Sequence, residues 1–466
     1  MKLQYIDYVT QGYDFPPSEF AINANGELLF HNINVHELTQ EYGSPVKFTY
    51  LPQISNNIQK VKGWFNVAMS KLDYQAQYHY CYCTKSSHFA HVLEEAVSNG
   101  IHLETSSAFD INIIESLEKS GKITKDKYIV CNGFKRDQYI ENIARIINDG
   151  FYNTLPVVDN YQELDLLSEQ IKGEYSIGIR IAAEEEPKFN FYTSRLGIGY
   201  RDILPWFHEK IKNNQKVKLK MLHFFINTGI TDTAYYWNEL SKCLRIYAAL
   251  KRVCPDLDSL NIGGGFPIKN SLDFEYDYQY MIEEIITQIK NTCEDQEVPV
   301  PHIFTEFGSY TVGEASMNVY KILHQKRQND REKWNMIDSS FITTLPDSWA
   351  INKKFLMLPI NRWNDNYERV FLGGLTCDSD DYYNSEQNNN AIYLPKFSDK
   401  KPLYIGFFNT GAYQESIGGY GGIHHCLIPN PKHVILNRDK DGNLTSHLFS
   451  EQQTHEQMLD LLGYKQ

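Results

Sequence analysis

Between residues 78 and 306 the chain repeats one rhythm. A short apolar run ends on a polar residue or a glycine, and a stretch with helical periodicity follows. Eight such runs stand out: Tyr78–Cys83, Ile101–Leu103, Tyr128–Cys131, Leu155–Val158, Ile177–Ile181, Leu219–Phe225, Leu260–Ile262 and Ile303–Thr305. Short continuous apolar runs between turn-forming residues read as buried strands. Strands joined by helical crossovers pair in parallel, because a hairpin cannot connect them. Eight such units predict an α/β chain whose core is a (β/α)8 TIM-like barrel, with its working residues at the carboxyl ends of the strands.

The residues at or just after the ends of the runs are Lys85, Glu104, Asn132, Asp159, Arg180, Asn227 with Thr228, Gly263-Gly264-Gly265, and Glu306. The stretch from Tyr78 to Asp110 shows the logic best. One strand leads to Lys85, and a helix pattern (Phe89, Val92, Leu93, Ala96, Val97) stops at Asn99-Gly100. The next strand then leads to Glu104. Lysine and glutamate so placed share one edge. A lysine can hold an aldehyde covalently. Consecutive glycines let backbone N–H groups close on a phosphate. A carboxylate facing a pyridine nitrogen keeps it protonated, so that the ring accepts electrons. Lysine, glycine loop and glutamate together predict a site for pyridoxal 5'-phosphate. Neither GxGxxG nor GK[ST] is present, which argues against dinucleotide and P-loop chemistry.

The 466 residues carry a formal charge of −13, which argues against nucleic acid and suits a cationic substrate. No apolar run approaches the roughly 18 residues of a membrane span. The opening MKLQYIDYVT has no signal-peptide core, so no membrane partner and a cytoplasmic location are expected. The eight cysteines lack paired zinc spacing and read as reduced thiols, with no metal site expected. His424-His425-Cys426 reads as structural or surface, since adjacent residues rarely converge on one ion.

After about residue 320 the helical periods give way to short alternating runs separated by Asn, Asp, Gly and Pro. Examples are Phe355–Ile360, Arg369–Leu372, Ala391–Leu394, Leu403–Phe408 and His433–Leu436. This predicts a C-terminal β-domain. The barrel is expected over 46–318, with 1–45 and 319–466 forming a β-domain that completes the active site. The Asn/Asp-rich stretch Asp378–Asn390 is expected to be a loop.

Motifs in both regions resemble the fold-type III (alanine racemase-like) pyridoxal phosphate decarboxylases, and within them the biosynthetic arginine decarboxylases. The resemblance runs over roughly residues 45–430. Its most specific pieces are SSFITTLPDSWAI (339–351), LTCDSDD (375–381) and IGFFNTGAYQESIGG (405–419). It implies a homodimeric enzyme of polyamine biosynthesis whose active sites are shared between chains. In that likeness Lys85 holds the cofactor, with the acidic Glu104 and Asp110 beside it and Arg180 near it. Gly263, Gly264 and Gly265 bind its phosphate, and Tyr413 bonds that phosphate too. Glu306 faces the pyridine nitrogen, and Cys377 returns a proton to the product carbon. Asp378, supplied by the other subunit, binds substrate, and Asp347 is a second candidate for that role.

The chain departs from the family pattern at several positions. Phe225 stands where the family usually has a histidine that stacks on the cofactor ring; a phenylalanine can stack but offers no hydrogen bond. Thr228 replaces a serine, Asn227 a glycine, and Ser309 an arginine that binds phosphate. Lys85 sits in TKSS rather than the common KAN or KVN. The leading expectation is decarboxylation of L-arginine to agmatine and CO2, because LTCDSDD is acidic where a substrate with a distal carboxylate would want a cation. Ornithine, lysine, diaminopimelate and carboxynorspermidine remain alternatives as substrate, and so does a catalytically silent regulatory homologue.

Overall fold

The structure is a computed structural model that describes residues 19–184, 194–271, 274–330, 332–383 and 392–464. The opening decapeptide and residues 384–390 of the expected Asn-rich loop lie outside the described residues.

All eight expected strands form. They are β1 (Tyr78–Cys83), β2 (His102–Thr105), β3 (Ile129–Cys131), β4 (Thr154–Val158), β5 (Tyr175–Arg180), β6 (Val217–His223), β7 (Ser259–Asn261) and β8 (His302–Phe307). They pair in sequence order and close on themselves into a barrel. The closing pair, β8 with β1, is parallel and sets Glu306 beside Cys81. β6 stops at His223, short of the apolar run that predicted it; Phe224 stays buried while Phe225 is exposed.

Side-chain alternation explains why polar residues line the mouth. Cys81, Val130, Leu155, Val157, Met221 and Phe304 form one buried apolar cluster inside the barrel. Two residues further along a strand, the side chain points to the same face again. Those positions are Cys83, Asn132, Asp159, His223 and Glu306, all buried. The apolar layer therefore supports a polar layer directly above it, at the carboxyl edge.

The crossover helices carry their own stop and start signals. Ser107 and Asp110 form a capping box at the start of the helix Ala108–Lys119. Asn160 and Thr233 cap Tyr161–Gln170 and Ala234–Lys251 with their side-chain oxygens. Such caps satisfy backbone donors that a helix start leaves unpaired. Among the described residues no helix is long and apolar enough to cross a membrane.

Two compact units divide the chain. Ile54–Pro267 and Tyr276–Thr311 make the barrel unit. Ile268–Glu275 and Val312–Gln466 join the segment through Gln53 in the other. The second unit is built on a ten-stranded sheet whose long strand, Ser316–Arg327, pairs with Val46–Tyr50, Lys333–Ile337 and Tyr404–Phe408. This corrects the expected barrel start at residue 46. Val46–Tyr50 is buried at every position and lies in the sheet, antiparallel to Ser316–Arg327 and parallel to Lys432–Arg438. Its ladder hydrogen bonds are taken on both sides there, so no edge is left for a barrel neighbour.

One buried ion pair sits under the barrel mouth. Lys135 Nζ lies 3.1 Å from Glu163 Oε2, with side chains 0% and 1% exposed. Lys135 also donates to the Gly133 carbonyl at 2.9 Å, and Glu163 accepts from the Asp159 N–H at 3.0 Å. Burial pushes the Glu163 carboxyl above its usual range, against the pull of Lys135. Lys135→Met leaves that charge without its partner and should destabilise the barrel by about 3–5 kcal/mol. The double variant Lys135→Met/Glu163→Gln should recover part of the loss, because the amide oxygen still accepts from the backbone. Urea unfolding followed by tryptophan fluorescence measures both.

Candidate active site

The polar layer is one hydrogen-bonded net. Lys85, in the turn after β1, donates from Nζ to Glu104 Oε2 at 2.6 Å. Asn132, after β3, donates to Glu104 Oε1 at 3.1 Å and to Glu306 Oε1 at 2.8 Å. Asn261, at the end of β7, also donates to Glu306 Oε1, at 2.5 Å. Glu306 Oε2 accepts nothing among the described residues and is the oxygen open to a further donor. Cys83 Sγ and one oxygen each of Glu104 and Glu306 lie within 4.8 Å of one another. Burial, with those carboxylates adding to it, pushes the Cys83 thiol well up, so it stays neutral between them.

His223, at the end of β6, faces the same net, its Nδ1 3.9 Å from Glu306 Oε1. Burial first, then the charge of Arg180, lowers its pKa to about 3. The ring is therefore neutral at working pH. The register of the barrel places Arg180 beside His223, at the carboxyl end of β5.

Two glycine turns border the net. Gly229, Gly263 and Gly265 have φ of 77°, 70° and 101°, a region side chains rarely adopt. Space alone also requires glycine here. A Cβ on Gly264 would lie 1.9 Å from the Glu306 carbonyl oxygen, and one on Gly229 would lie 2.3 Å from that of Gly265. The Ile230 N–H ties the turns together by donating to the Gly265 carbonyl at 3.1 Å.

Several buried polar atoms at this edge lack a hydrogen-bond partner among the described residues. They are Thr228 Oγ1, both side-chain atoms of Asn227, Ser86 Oγ and His223 Nδ1. Buried polar groups are normally paired, so a cluster of orphans marks a place where something polar belongs. The residues fit pyridoxal phosphate. Lys85 can hold its aldehyde carbon, the glycine turns with Thr228 its phosphate, and Glu306 its ring nitrogen.

Residues 58–313, more than half of the chain, match the pyridoxal binding domain of the pyridoxal-dependent decarboxylases. The chain belongs to that family. Curated relatives include the biosynthetic arginine decarboxylase of Bacteroides thetaiotaomicron, 24% identical, with 96% of this chain and 90% of the relative aligned. The Geobacter sp. enzyme of the same name is 23% identical over 90% of this chain and 86% of its own. Among solved structures, the biosynthetic arginine decarboxylase from Campylobacter jejuni superposes with a TM-score of 0.81 at 19% identity. That match covers 98% of this chain and 91% of the other. Diaminopimelate decarboxylase from M. jannaschi superposes with a TM-score of 0.78 at 19% identity, covering 95% and 97%. The chain is a pyridoxal phosphate-dependent decarboxylase with the barrel and separate β-domain of these relatives.

Within the decarboxylase, Lys85, Glu104 and Glu306 come together as one group, with the glycine turn beside Glu306. Phe225 lies against that turn: a Cβ on Gly263 would be 3.2 Å from its ring. Asp110, expected beside Lys85, also caps a helix. Its Oδ2 accepts from the Ser106 and Ser107 N–H groups, and its Oδ1 lies 3.0 Å from His88 Nε2. Burial alone would raise its pKa, but His88 and those backbone donors hold it below the usual range. Both Asp110 oxygens are engaged, one by the backbone at the start of its helix and one by His88.

Asp347, the second candidate for binding substrate, meets partners within its own chain. It is buried, 3.2 Å from Lys353 Nζ, and accepts from Gln414 Nε2 at 2.8 Å. Its charge is already met. Cys377 and Asp378 lie on an exposed loop of the other unit. Tyr413 starts the short helix Gln414–Gly418 with φ of 70°. A tyrosine in that left-handed region is held there by its surroundings, and such strain concentrates at functional positions.

Sequence reasoning gave no role to three members of the net. Asn132 and Asn261 were visible only as polar residues at strand ends, and His223 was hidden inside an apolar run. A period-two reading of the inward face from Met221 would have found His223.

Glu306→Gln tests the net. The amide oxygen can still accept from Asn132 and Asn261, so pyridoxal phosphate should bind within a few-fold of wild type. The negative charge is gone, and kcat should fall about 10²–10³-fold. Cofactor titration by absorbance separates the two effects.

Proposed function

We propose that the enzyme decarboxylates L-arginine, giving agmatine and CO2. The observation that carries this reading is the Cys377-Asp378 loop, which presents a thiol beside an unburied carboxylate. The curated relatives named biosynthetic arginine decarboxylases, aligned over nearly their whole length, support it. So does the internal pairing of Asp347, which leaves Asp378 as the carboxylate for a guanidinium.

Pyridoxal phosphate, when bound, supplies a ring that accepts the electron pair of the breaking bond between the α-carbon and the carboxylate. The protein's residues do the rest. Lys85 would hold the cofactor through its aldehyde carbon, the position the substrate amine must also reach. Glu306 keeps the ring nitrogen protonated, with Asn132 and Asn261 fixing the carboxylate so that it need not reorganise. The neutral His223 adds no positive charge that would compete for Glu306. CO2 leaves, and the Cys377 thiol passes its proton to the α-carbon.

The Cys377 loop is proposed to serve the Lys85 site of a second copy of the chain. Exposed apolar side chains lie on nearby segments of the same unit: Trp349 and Tyr382 line one cleft with Asp380, and Ile351, Leu375 and Ile417 are exposed as well. Large exposed apolar side chains grouped in this way mark interaction surfaces. A reaction that needs a free thiol suits a reducing compartment, which supports the proposed cytoplasmic location.

CO2 release measured with arginine, ornithine, lysine and diaminopimelate should be largest, by kcat/KM, with arginine. A preference for diaminopimelate would overturn the substrate assignment. Complementation tests the shared site. Lys85→Ala and Cys377→Ala homodimers should each be nearly inactive. Unfolded and refolded together in equal amounts, they should regain roughly one quarter of wild-type activity, because about half the dimers are mixed and each has one intact site. No recovery, with mixed dimers demonstrated, would leave each chain as a self-sufficient unit.

A further inference from the structure

The Cys377 loop meets a second loop that no step of decarboxylation uses. Asp381 pins the first: it accepts from the Phe341 N–H at 2.8 Å and from the Thr376 N–H at 3.0 Å. Gly374 is required beneath it, since a Cβ there would lie 2.2 Å from Asp381 Oδ2. His424 pins the second loop, with its ring nitrogens 2.8 Å from the Ile428 carbonyl and 3.0 Å from that of Gly419. Cys426 and Leu427 then follow with φ of 55° and 53°. Two successive left-handed residues that are neither Gly nor Asn are strained. The turn lets the adjacent His425 and Cys426 converge on one point, against the expectation that neighbours do not.

Cys377 occupies the same point from 49 residues away, with 3.5 Å between the two sulfurs. The ligand atoms of Cys377, His425 and Cys426 all lie within 4.8 Å of one another. Asp378 Oδ2 is 3.7 Å from His425 Nε2, close enough to be a fourth. A zinc–thiolate bond of about 2.3 Å sets two sulfurs on a tetrahedron about 3.8 Å apart. The observed sulfur separation needs a shift of only a few tenths of an ångström. Two thiols, an imidazole and a carboxylate form a donor set for zinc and similar thiophilic ions, with little appeal for magnesium or calcium.

We propose that Cys377, His425 and Cys426, with Asp378, form a tetrahedral site for a thiophilic divalent cation of the zinc class, and that filling it withdraws Cys377 from the reaction. Two thiols lose their protons to solvent as two metal–sulfur bonds form, and no oxidant or reductant is consumed. The consequence for turnover rests on the proton-donor role of Cys377 proposed above, but metal binding does not. The site would make the decarboxylase reversibly sensitive to available zinc.

Cobalt(II) is the probe. Added to the reduced, cofactor-loaded, full-length enzyme, it should bind once per chain. It should give the near-ultraviolet thiolate charge-transfer band and the intense visible bands of a tetrahedral site, both bleached by zinc. Cys426→Ser and His425→Ala alter exposed side chains and should each weaken cobalt binding by at least about tenfold. Zinc should inhibit the wild type, and a chelator should restore it. Cys426→Ser should keep its basal activity and resist the same zinc concentration. No tetrahedral cobalt spectrum, or one unchanged in Cys426→Ser, would overturn the site. A spectrum that depends on Cys426, with no inhibition by zinc, would overturn the link to turnover and the role of Cys377 while leaving the metal site standing.

Discussion

Two buried carboxylates bridged by one amide define the mouth of this barrel. Asn132 Nδ2 donates to both Glu104 and Glu306, and the carboxylates sit at a depth where water does not screen them. Like charges this close in a low-dielectric interior repel strongly unless each has partners. Lys85 answers Glu104, while Asn132 and Asn261 answer only one oxygen of Glu306. The remaining oxygen is a standing demand for a donor, and a protonated pyridine nitrogen is one. The net is thus complete on the lysine side and unfinished on the ring-nitrogen side.

The rest of the barrel keeps that net in place. Inward-facing apolar residues fill the interior one step below, so each polar residue is carried on a rigid strand end. The buried Lys135–Glu163 pair ties the β3 and β4 ends together. The glycine turns after β6 and β7 come so close to each other and to Glu306 that no side chain fits. A cofactor phosphate held there would meet backbone N–H groups and Thr228, with Ser309 standing where the resemblance implies an arginine. Affinity then rests on shape and dipoles more than on a formal charge.

The β-domain contributes chemistry of another kind. Its motif segments are exposed loops held by single buried side chains, Asp381 for one and His424 for the other. That construction suits a loop that must keep a thiol in a fixed place at a surface. It also brings Cys377 against Cys426, which fits a proton donor poorly unless the contact has a purpose of its own. Metal occupancy would give it one.

The period of the chain determined a great deal by itself. Eight apolar runs with helical spacers leave the backbone few other ways to pair, and alternation along each run dictates which residues reach the mouth. Lys85, Glu104, the three glycines and Glu306 were legible for that reason, because their chemistry and their place at strand ends are local facts. Partners were not legible. Nothing in the order of residues says that Asp110 spends its oxygens on a helix cap and His88, or that Lys353 neutralises Asp347. Val46–Tyr50 reads as a strand either way, and only the neighbours on both sides of it put it in the sheet. The meeting of Cys377 with His425 and Cys426 depends on a left-handed turn and on two loops brought together by the packing of the β-domain. Hydrogen bonds and ion pairs are chosen among groups that folding makes adjacent, and adjacency across tens of residues is decided by the tertiary structure alone.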